Sequence, residues 1–380
     1  MKIAIVHDWF AEYAGSERCV ESFTNLFPDA DIFALVDLLN DKDRQIITQG
    51  KCVHTSFIQK MPFAKTKHRY YLGLFPAAIE KFNLSDYDLI ISSSHAVAKG
   101  VRTNSNQLHI CYCHTPIRYA WELREQYLKE SGLNSGIKKF IVTKVLDYLK
   151  KWDLNTSDRP DFFIANSKHV ADRITRYYDR DSTVIYPPVD VEKFITNNVK
   201  EDFYLTASRL VPYKRIDLIV EAFSKMPDKK LVVIGKGPEQ KKIERIAADN
   251  ITLLGYQESD VLKDYMQRAK SFVFAAEEDF GIIVVEAMSC GTPVIAWNRG
   301  GTSETVIDHK TGIHFTEQTS ESIIDAVNKF EASNNLFDPQ LIRNHAEQFS
   351  RKIFEENIST FINDKAKNFF ANLEKGNSGK

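Results

Sequence analysis

The chain has 380 residues, of which 43% are hydrophobic and 27% charged, and its formal net charge is -1. This is the composition of a soluble globular protein long enough for two domains with separate cores. It excludes a bulk basic field for holding nucleic acid, and no run of about 18 apolar residues offers a transmembrane helix.

The start, Met1-Lys-Ile-Ala-Ile-Val-His7, meets polar residues almost at once and reads as a buried strand rather than a secretory leader. In the first half, apolar runs at Lys2–His7, Ala30–Ala34, Leu89–Ser92, Leu108–Cys113 and Phe162–Ala165 alternate with longer helical patterns. The second half repeats the alternation with Tyr204–Ala207, Lys230–Ile234, Ile251–Leu254, Ser271–Phe274 and Pro293–Ala296. Such alternation predicts an α/β protein with parallel sheets and crossover helices. Pro187 and Pro188 can continue neither a helix nor a central strand, and a polar stretch, Thr196–Asp202, follows. The expected domains are therefore 1–190 and 191–349, with a hinge near 187–200. A last helix over 350–371 carries apolar residues at Phe354, Ile358, Phe361 and Ile362. Cys19, Cys52, Cys111, Cys113 and Cys290 are odd in number and scattered, which predicts free buried thiols in a cytoplasmic protein.

The segment Ala275-Ala-Glu-Glu-Asp-Phe-Gly281 follows a buried run and precedes a helix expected from Ile282 to about Cys290, with Gly291 placed as its C′ glycine. Ligands of an open parallel sheet bind beyond the carboxyl ends of its strands. There a helix start offers free amides and a positive dipole end to phosphate oxygens. Glu278 lies in the loop and Glu286 one turn into the helix, where two carboxylates can accept hydrogen bonds from vicinal sugar hydroxyls. Glu277 and Asp279 read as surroundings that complement the dipole. Glu286 sits among Val284, Val285, Ala287 and Met288, where a carboxylate needs a partner.

Arg209 and Lys214 occupy the loop after the first strand of the second half, where cations can neutralise a diphosphate. Gly235-Lys-Gly237 and Gly300-Gly301 add glycine loops at the same edge. The third glycine of a dinucleotide fingerprint is missing, Gln240 standing in its place, which disfavours a nicotinamide oxidoreductase. In the first half, Ala14-Gly-Ser-Glu17 follows the first strand, and Gly15 permits close backbone approach. His114, in Cys113-His-Thr-Pro-Ile-Arg118, falls at the end of another strand. Asp29-Ala-Asp31 has a D-x-D pattern but lies before a strand, away from these loops, and is read as incidental. No His/Asp/Glu cluster suggests a metal. Phe57–Phe75 and Gly136–Trp152 mix lysines with aromatic residues. The first is read as a membrane or acceptor contact and the second as an ordinary surface helix, although both compositions suit an anionic membrane.

Together these motifs resemble the retaining glycosyltransferases of family 4. Glu278-x7-Glu286 with Phe280-Gly281 between matches that family's E-x7-E signature. Arg209 and Lys214 match its R-x4-K pair, and Gly15 and His114 match its glycine loop and donor-sugar histidine. The loop reads Ala14-Gly15 where many relatives carry two glycines. Cys111–Glu122 and Ala275–Gly281 resemble bacterial O-antigen and capsule mannosyltransferases. The resemblance implies a GT-B fold of two doubly wound Rossmann-like domains facing a central cleft, the final helix returning to the first. It implies catalytic roles for His114, Arg209, Lys214 and Glu278. It implies donor contacts from Gly15, Gly255, Tyr256, Gln257, Phe280, Gly281, Ile282, Ile283 and Glu286. It implies no cofactor or metal, a nucleotide-sugar donor such as GDP-mannose, a lipid-linked saccharide acceptor, and a place on the inner face of the cytoplasmic membrane. A UDP-sugar transferase of the same fold, a sugar-nucleotide 2-epimerase and a non-catalytic nucleotide-binding subunit are the alternatives.

Overall fold

The computed structural model describes residues 1–122, 136–333 and 336–377. The chain forms two compact units: Met1–Pro188 with Phe354–Lys380, and Val189–Ile353.

The first unit is built on seven parallel strands in the order β3-β2-β1-β4-β5-β6-β7: β1 (Ile3–His7), β2 (Asp31–Ala34), β3 (Val53–Thr55), β4 (Leu89–Ser94), β5 (Leu108–Cys113), β6 (Phe162–Ala165) and β7 (Ser182–Val184). The two short edge strands have no apolar run in the sequence and are absent from its reading; the other five agree to within two residues. The central strands β1, β4, β5 and β6 are covered on both faces, so apolar residues dominate them. Along β5 the alternation is resolved by packing. Ile110 and Tyr112 join Phe23 and the final helix's Phe354 and Ile358 on one face, while Cys111 and Cys113 join Phe163, Ile174 and Tyr178 on the other. That final helix spans Arg351–Asn377. Four cysteines are buried free thiols, but Cys52 is exposed, because it lies in the turn before β3 rather than in a core element.

The helix Gly136–Asn155 buries Leu146 and Leu149 and leaves Phe140, Ile141 and Tyr148 exposed. Phe57–Ile79 folds as successive short helical turns that bury Ile58, Leu72 and Phe75 and expose Phe63 and Tyr70. The two stretches meet where Gly73 lies against Val145. Among the described residues no helix is long and apolar enough to cross a membrane.

The second unit has six parallel strands in the order β10-β9-β8-β11-β12-β13: β8 (Glu201–Ala207), β9 (Leu231–Ile234), β10 (Ile251–Gly255), β11 (Ala269–Phe274), β12 (Val294–Trp297) and β13 (Gly312–Phe315). This order reverses beside its first strand, the doubly wound arrangement, which opens a crevice at the carboxyl ends of β8 and β11. The stretch expected as a hinge belongs largely to this unit. The Val189 amide donates to the Phe349 carbonyl, the Asn197 amide donates to that of Cys290, and Asp190 pairs with Arg351 at 2.7 Å.

A buried charge pair ties elements of the first unit together. The Lys99 ammonium lies 3.1 Å from the Asp153 carboxylate and donates to the Asp153 carbonyl and the Thr156 hydroxyl, with both charged residues 1% exposed or less. The Trp121 indole and the Tyr178 hydroxyl donate to the other carboxylate oxygen at 2.8 and 2.7 Å. Removing one member strands the other charge without a counter-ion, which costs about 3–5 kcal/mol. Asp153→Asn is therefore expected to lower unfolding free energy in urea by about that amount, whereas Asp158→Asn, on an exposed carboxylate, is expected to change it by less than about 0.5 kcal/mol.

Candidate functional site

In the second unit the loops at the carboxyl ends of β8 and β9, and those of β11 and β12, pack on each other through contacts that only glycine allows. Gly235 has φ +141°, and a Cβ there would stand 1.8 Å from the Ser208 carbonyl oxygen; one on Gly237 would stand 2.3 Å from that of Leu210. The Gly235 amide donates to the Gly255 carbonyl at 2.8 Å, and Gly255 itself has φ +67°. On the other side of β8, Gly300 forms a bridge to Glu278, and a Cβ on Gly301 would stand 2.3 Å from Phe280. Sequence reasoning found these glycines as loops; the structure shows each as a close approach of two backbones.

This packing positions the charged side chains. Lys214 ends a short 3-10 turn, Pro212–Lys214, and its ammonium pairs directly with the Glu278 carboxylate. Both are largely buried, at 13% and 20% exposed. The Gly301 amide donates to the Glu278 carbonyl at 2.7 Å and fixes its backbone. Arg209 is exposed, and its guanidinium donates to the Tyr213 hydroxyl at 3.0 Å rather than to an acid. Gly281, at φ +85°, is the N-cap of the helix Ile282–Ser289. It has no side chain to cap the first turn, so the Ile282 and Ile283 amides face the loop end without an intrahelical acceptor. Glu286 is half-buried one turn further in. Tyr256 is 61% exposed, and the Gln257 amide donates to the Leu254 carbonyl at 2.8 Å. Two residues unmarked by the sequence reading hold the frame: Arg215, in the left-handed region at φ 52°, donates to Gln318, whose amide donates to the Ala275 carbonyl. Nothing in the local pattern marks Gln318; a bulky residue with positive φ is invisible in sequence.

In the first unit the carboxyl ends of β1, β4 and β5 gather a set of polar groups that sequence reasoning mostly missed. The Asp8 carboxylate, fully buried, accepts four successive backbone amides, from His95 through Ala98, at 2.6–2.9 Å. His95 lies 3.2 Å from Asp8 through Nδ1. His114 is 9% exposed, and its Nε2 is 2.8 Å from the Ser93 hydroxyl, which is 3.1 Å from His7 Nδ1. Burial, with smaller contributions from His95 and His7, holds the His114 imidazolium well below the ordinary histidine range, so its ring is neutral near pH 7. Burial also lowers His95. Glu17 is raised by burial, but a contact with His7 and a hydrogen bond from Ser16 outweigh that and leave it below the usual carboxylate range. Gly15 opens the helix Gly15–Leu26 without a positive φ, after an Ala14 N-cap that gives no side-chain bond. The signal for this cluster lay in position, His7-Asp8 and Ser92-Ser-Ser-His95 both following buried strands. Asp31 lies at the opposite, amino end of β2 and accepts from the Tyr87 hydroxyl at 2.7 Å, apart from every one of these groups.

Two doubly wound units with a paired lysine and glutamate, an uncapped helix start and interlocked glycine loops define an α/β protein equipped to receive an anionic ligand. Comparison with known proteins carries this further. The family profile for glycosyl transferases group 1 matches residues 190–352, and that for glycosyltransferase family 4 matches residues 15–193. The chain belongs to the family 4 glycosyltransferases, and its fold is GT-B. Among curated relatives, the lipopolysaccharide 1,2-N-acetylglucosaminetransferase of Salmonella typhimurium is 31% identical over 195 residues, covering 46% of this chain and 50% of that protein. The GDP-mannose-dependent alpha-(1-6)-phosphatidylinositol monomannoside mannosyltransferase of Mycolicibacterium smegmatis is 33% identical over 141 residues, covering 32% and 36%. The chain spans about half the length of the curated relatives it matches. Among solved structures, HepE of Anabaena in complex with UDP and glucose superposes with a TM-score of 0.68 at 19% identity, over 96% of this chain and 99% of that one.

The loop geometry makes its own prediction. Gly235→Ala drives the loop bearing Arg209 and Lys214 away from β9, and displacing binding groups by about 1 Å costs roughly 10²-fold. Calorimetric affinity for a nucleoside diphosphate is expected to fall by about that factor with far-UV circular dichroism unchanged; unaltered affinity would show that the loops do not form the site.

Proposed function

We propose that the chain is a retaining glycosyltransferase that transfers mannose from GDP-mannose to a lipid-linked oligosaccharide at the inner face of the cytoplasmic membrane, in O-antigen or capsule synthesis. The observation that carries the donor half of this reading is the Lys214–Glu278 pair between adjoining loops. A donor divides that pair between its two ends. Lys214, with Arg209, takes the diphosphate, and Glu278 accepts from sugar hydroxyls. The Ile282 and Ile283 amides add to the phosphate site and Glu286 receives the ribose. As the glycosidic bond breaks, charge grows on the leaving diphosphate, and cations already in place stabilise it without reorganisation. The family resemblance gives His114, in the first unit, the role of a sugar-contacting residue, and its ring is held neutral for that role. No metal is assigned a role.

Lys214→Ala is expected to lower turnover by roughly 10²–10³-fold. Unchanged turnover would remove Lys214 from the reaction, and a wild-type chain that binds donor without consuming it would establish the nucleotide-binding subunit instead.

A second donor is favoured by specific observations: HepE was solved with UDP and glucose, and one relative is named for N-acetylglucosamine transfer. The mannosyl reading is supported by the relative named for GDP-mannose. A thermal-shift panel of GDP, UDP and their sugars separates the two. A ligand at about 100 times its Kd stabilises the folded state by about 2.7 kcal/mol, enough to raise the melting temperature by several degrees. GDP-mannose is expected to do so; stabilisation by UDP-sugars alone would replace mannose with a UDP-linked sugar.

The acceptor half rests on the first unit's exposed aromatic and basic surface. Phe63 and Tyr70, 76% and 78% exposed, stand near Lys65 and Lys67, and Phe140 and Tyr148 lie on the adjoining helix with Lys144. Such side chains seat in a lipid headgroup layer, and each lysine near an anionic surface contributes about 1 kcal/mol. The protein is expected to co-sediment with vesicles containing phosphatidylglycerol and not with pure phosphatidylcholine, and Phe63→Ser with Tyr70→Ser to weaken that binding about tenfold. Equal binding to both vesicles, or none, would remove the membrane from the reading.

A further inference from the structure

His114 sits at the end of a line of polar groups that a single structural role does not account for. From its Nε2 the line runs 2.8 Å to the Ser93 hydroxyl and 3.1 Å on to His7 Nδ1. His7 Nε2 then lies 3.5 Å from the Glu17 carboxylate. His7 and Ser93 are fully buried and Glu17 is 5% exposed. His7 Nδ1 has a second neighbour, the Ser93 carbonyl oxygen at 3.2 Å, which can only accept. The two choices open to Nδ1 have opposite consequences for His114.

When His7 is neutral with its proton on Nε2 toward Glu17, Nδ1 accepts the Ser93 hydroxyl proton. The Ser93 oxygen must then accept from His114, whose proton is fixed on Nε2 and whose Nδ1 is a bare acceptor. When His7 carries two protons, Nδ1 donates to the Ser93 carbonyl. The Ser93 hydroxyl is then released to donate to His114 Nε2, and the His114 proton lies on Nδ1. The two states differ by one proton, and the line can carry it. A proton taken at His114 Nδ1 lets the Nε2 proton pass to Ser93 Oγ, and the hydroxyl's own proton pass to His7 Nδ1. His114 ends neutral, and the positive charge rests beside Glu17.

We infer that Ser93 and His7 are positioning residues that couple His114 to the Glu17 carboxylate, so that the protonation of His7 sets which nitrogen of His114 carries its proton. The inference rests on the reading of His114 as a sugar-contacting residue, and it adds what that residue presents to its ligand. Nε2 is committed to Ser93, so Nδ1 is the nitrogen left for a substrate. It accepts a hydroxyl proton in one state and donates in the other. The arrangement also reconciles two facts about His114: burial keeps its ring neutral, yet a neutral ring can still relay a proton if the charge settles elsewhere. The groups around His7 are Glu17 from the helix Gly15–Leu26, Ser93 and His95 from the end of β4, and His114 from the end of β5. Asp8, beside His7 on its own strand, is engaged by His95 and four backbone amides, and Arg69 acts on His95.

The test uses the full chain labelled with nitrogen-15 in histidine, with ring nitrogen shifts read between about pH 5.5 and about pH 8. The His114 signals are identified by their loss in His114→Gln. The expected result is one His114 tautomer at high pH, protonated on Nε2, replaced by the Nδ1 tautomer as pH falls. Ser93→Ala is expected to abolish the exchange and Ser93→Thr to preserve it. A single His114 tautomer throughout, or an exchange that survives Ser93→Ala, overturns the inference. In the transfer assay, Ser93→Ala is expected to lower kcat about 10²-fold with donor KM changed less than about twofold, and to remove the acid limb of the pH profile. Equal loss at every pH would reduce Ser93 to a structural role. The nuclear magnetic resonance result needs no donor. If the tautomer exchange is found but no nucleotide sugar is consumed, the functional reading fails and the relay stands.

Discussion

The loop geometry of the second unit depends on one constraint: at four points where the loops at the carboxyl ends of its strands meet, two backbones lie closer than any Cβ would permit. Gly235 against Ser208 and Gly237 against Leu210 lock the loops that follow β8 and β9 together, and Gly300 against Glu278 and Gly301 against Phe280 do the same for the loops that follow β11 and β12; the Lys214–Glu278 pair joins the two sets. Backbone packed on backbone leaves little freedom for the side chains it carries. Lys214 and Glu278, from different strands, therefore meet without either element supplying a long flexible arm. In the ligand-free chain the two charges compensate each other, so neither is left partly buried without a counter-ion.

The first unit solves the same problem by another route. Its loops are held by a carboxylate instead of glycine contacts. Asp8 at the end of β1 gathers the four amides that begin the turn after β4, and so fixes His95 and the strand end bearing Ser93. A buried charge is tolerated there because its lone pairs are satisfied by aligned amide donors. His7, its neighbour in sequence and the last residue of β1, reaches Ser93 and Glu17. Two adjacent residues thus serve two tasks, one anchoring the loop and one addressing His114.

Much of this was legible in the sequence. Among the described residues, ten of the thirteen strands are apolar runs between turn residues, and the helix after Gly281 begins where its glycine predicts. The three strands that escaped, Val53–Thr55, Ser182–Val184 and Gly312–Phe315, are short edges whose pairing is supplied by their neighbours in the sheet rather than by their own hydrophobicity. Arg209, Lys214, Glu278, Glu286 and His114 could be found because each follows a buried strand or opens a helix. The Lys214–Glu278 contact could not, since it joins residues 64 positions apart through loops whose course is set by the glycine approaches. The Glu17–His7–Ser93 line escaped for the same reason: three elements distant in the chain become one array only when β1 and β4 pair, His7 beside Ser93.

On the proposed reading the donor's base is received at Gly255-Tyr256-Gln257, and its identity is the hardest feature to read from the sequence. At Gly255-Tyr256-Gln257 the glutamine's donor is already committed to the Leu254 carbonyl, and the tyrosine is solvent-exposed. A base arriving at this turn would meet backbone edges and one aromatic face. An aromatic face stacks on any base, and backbone amides and carbonyls are the same whatever residues carry them. On that reading, discrimination between guanine and uracil would fall to the course of the backbone, which is set by the positive φ of Gly255 and the hydrogen bond from the Gly235 amide to its carbonyl.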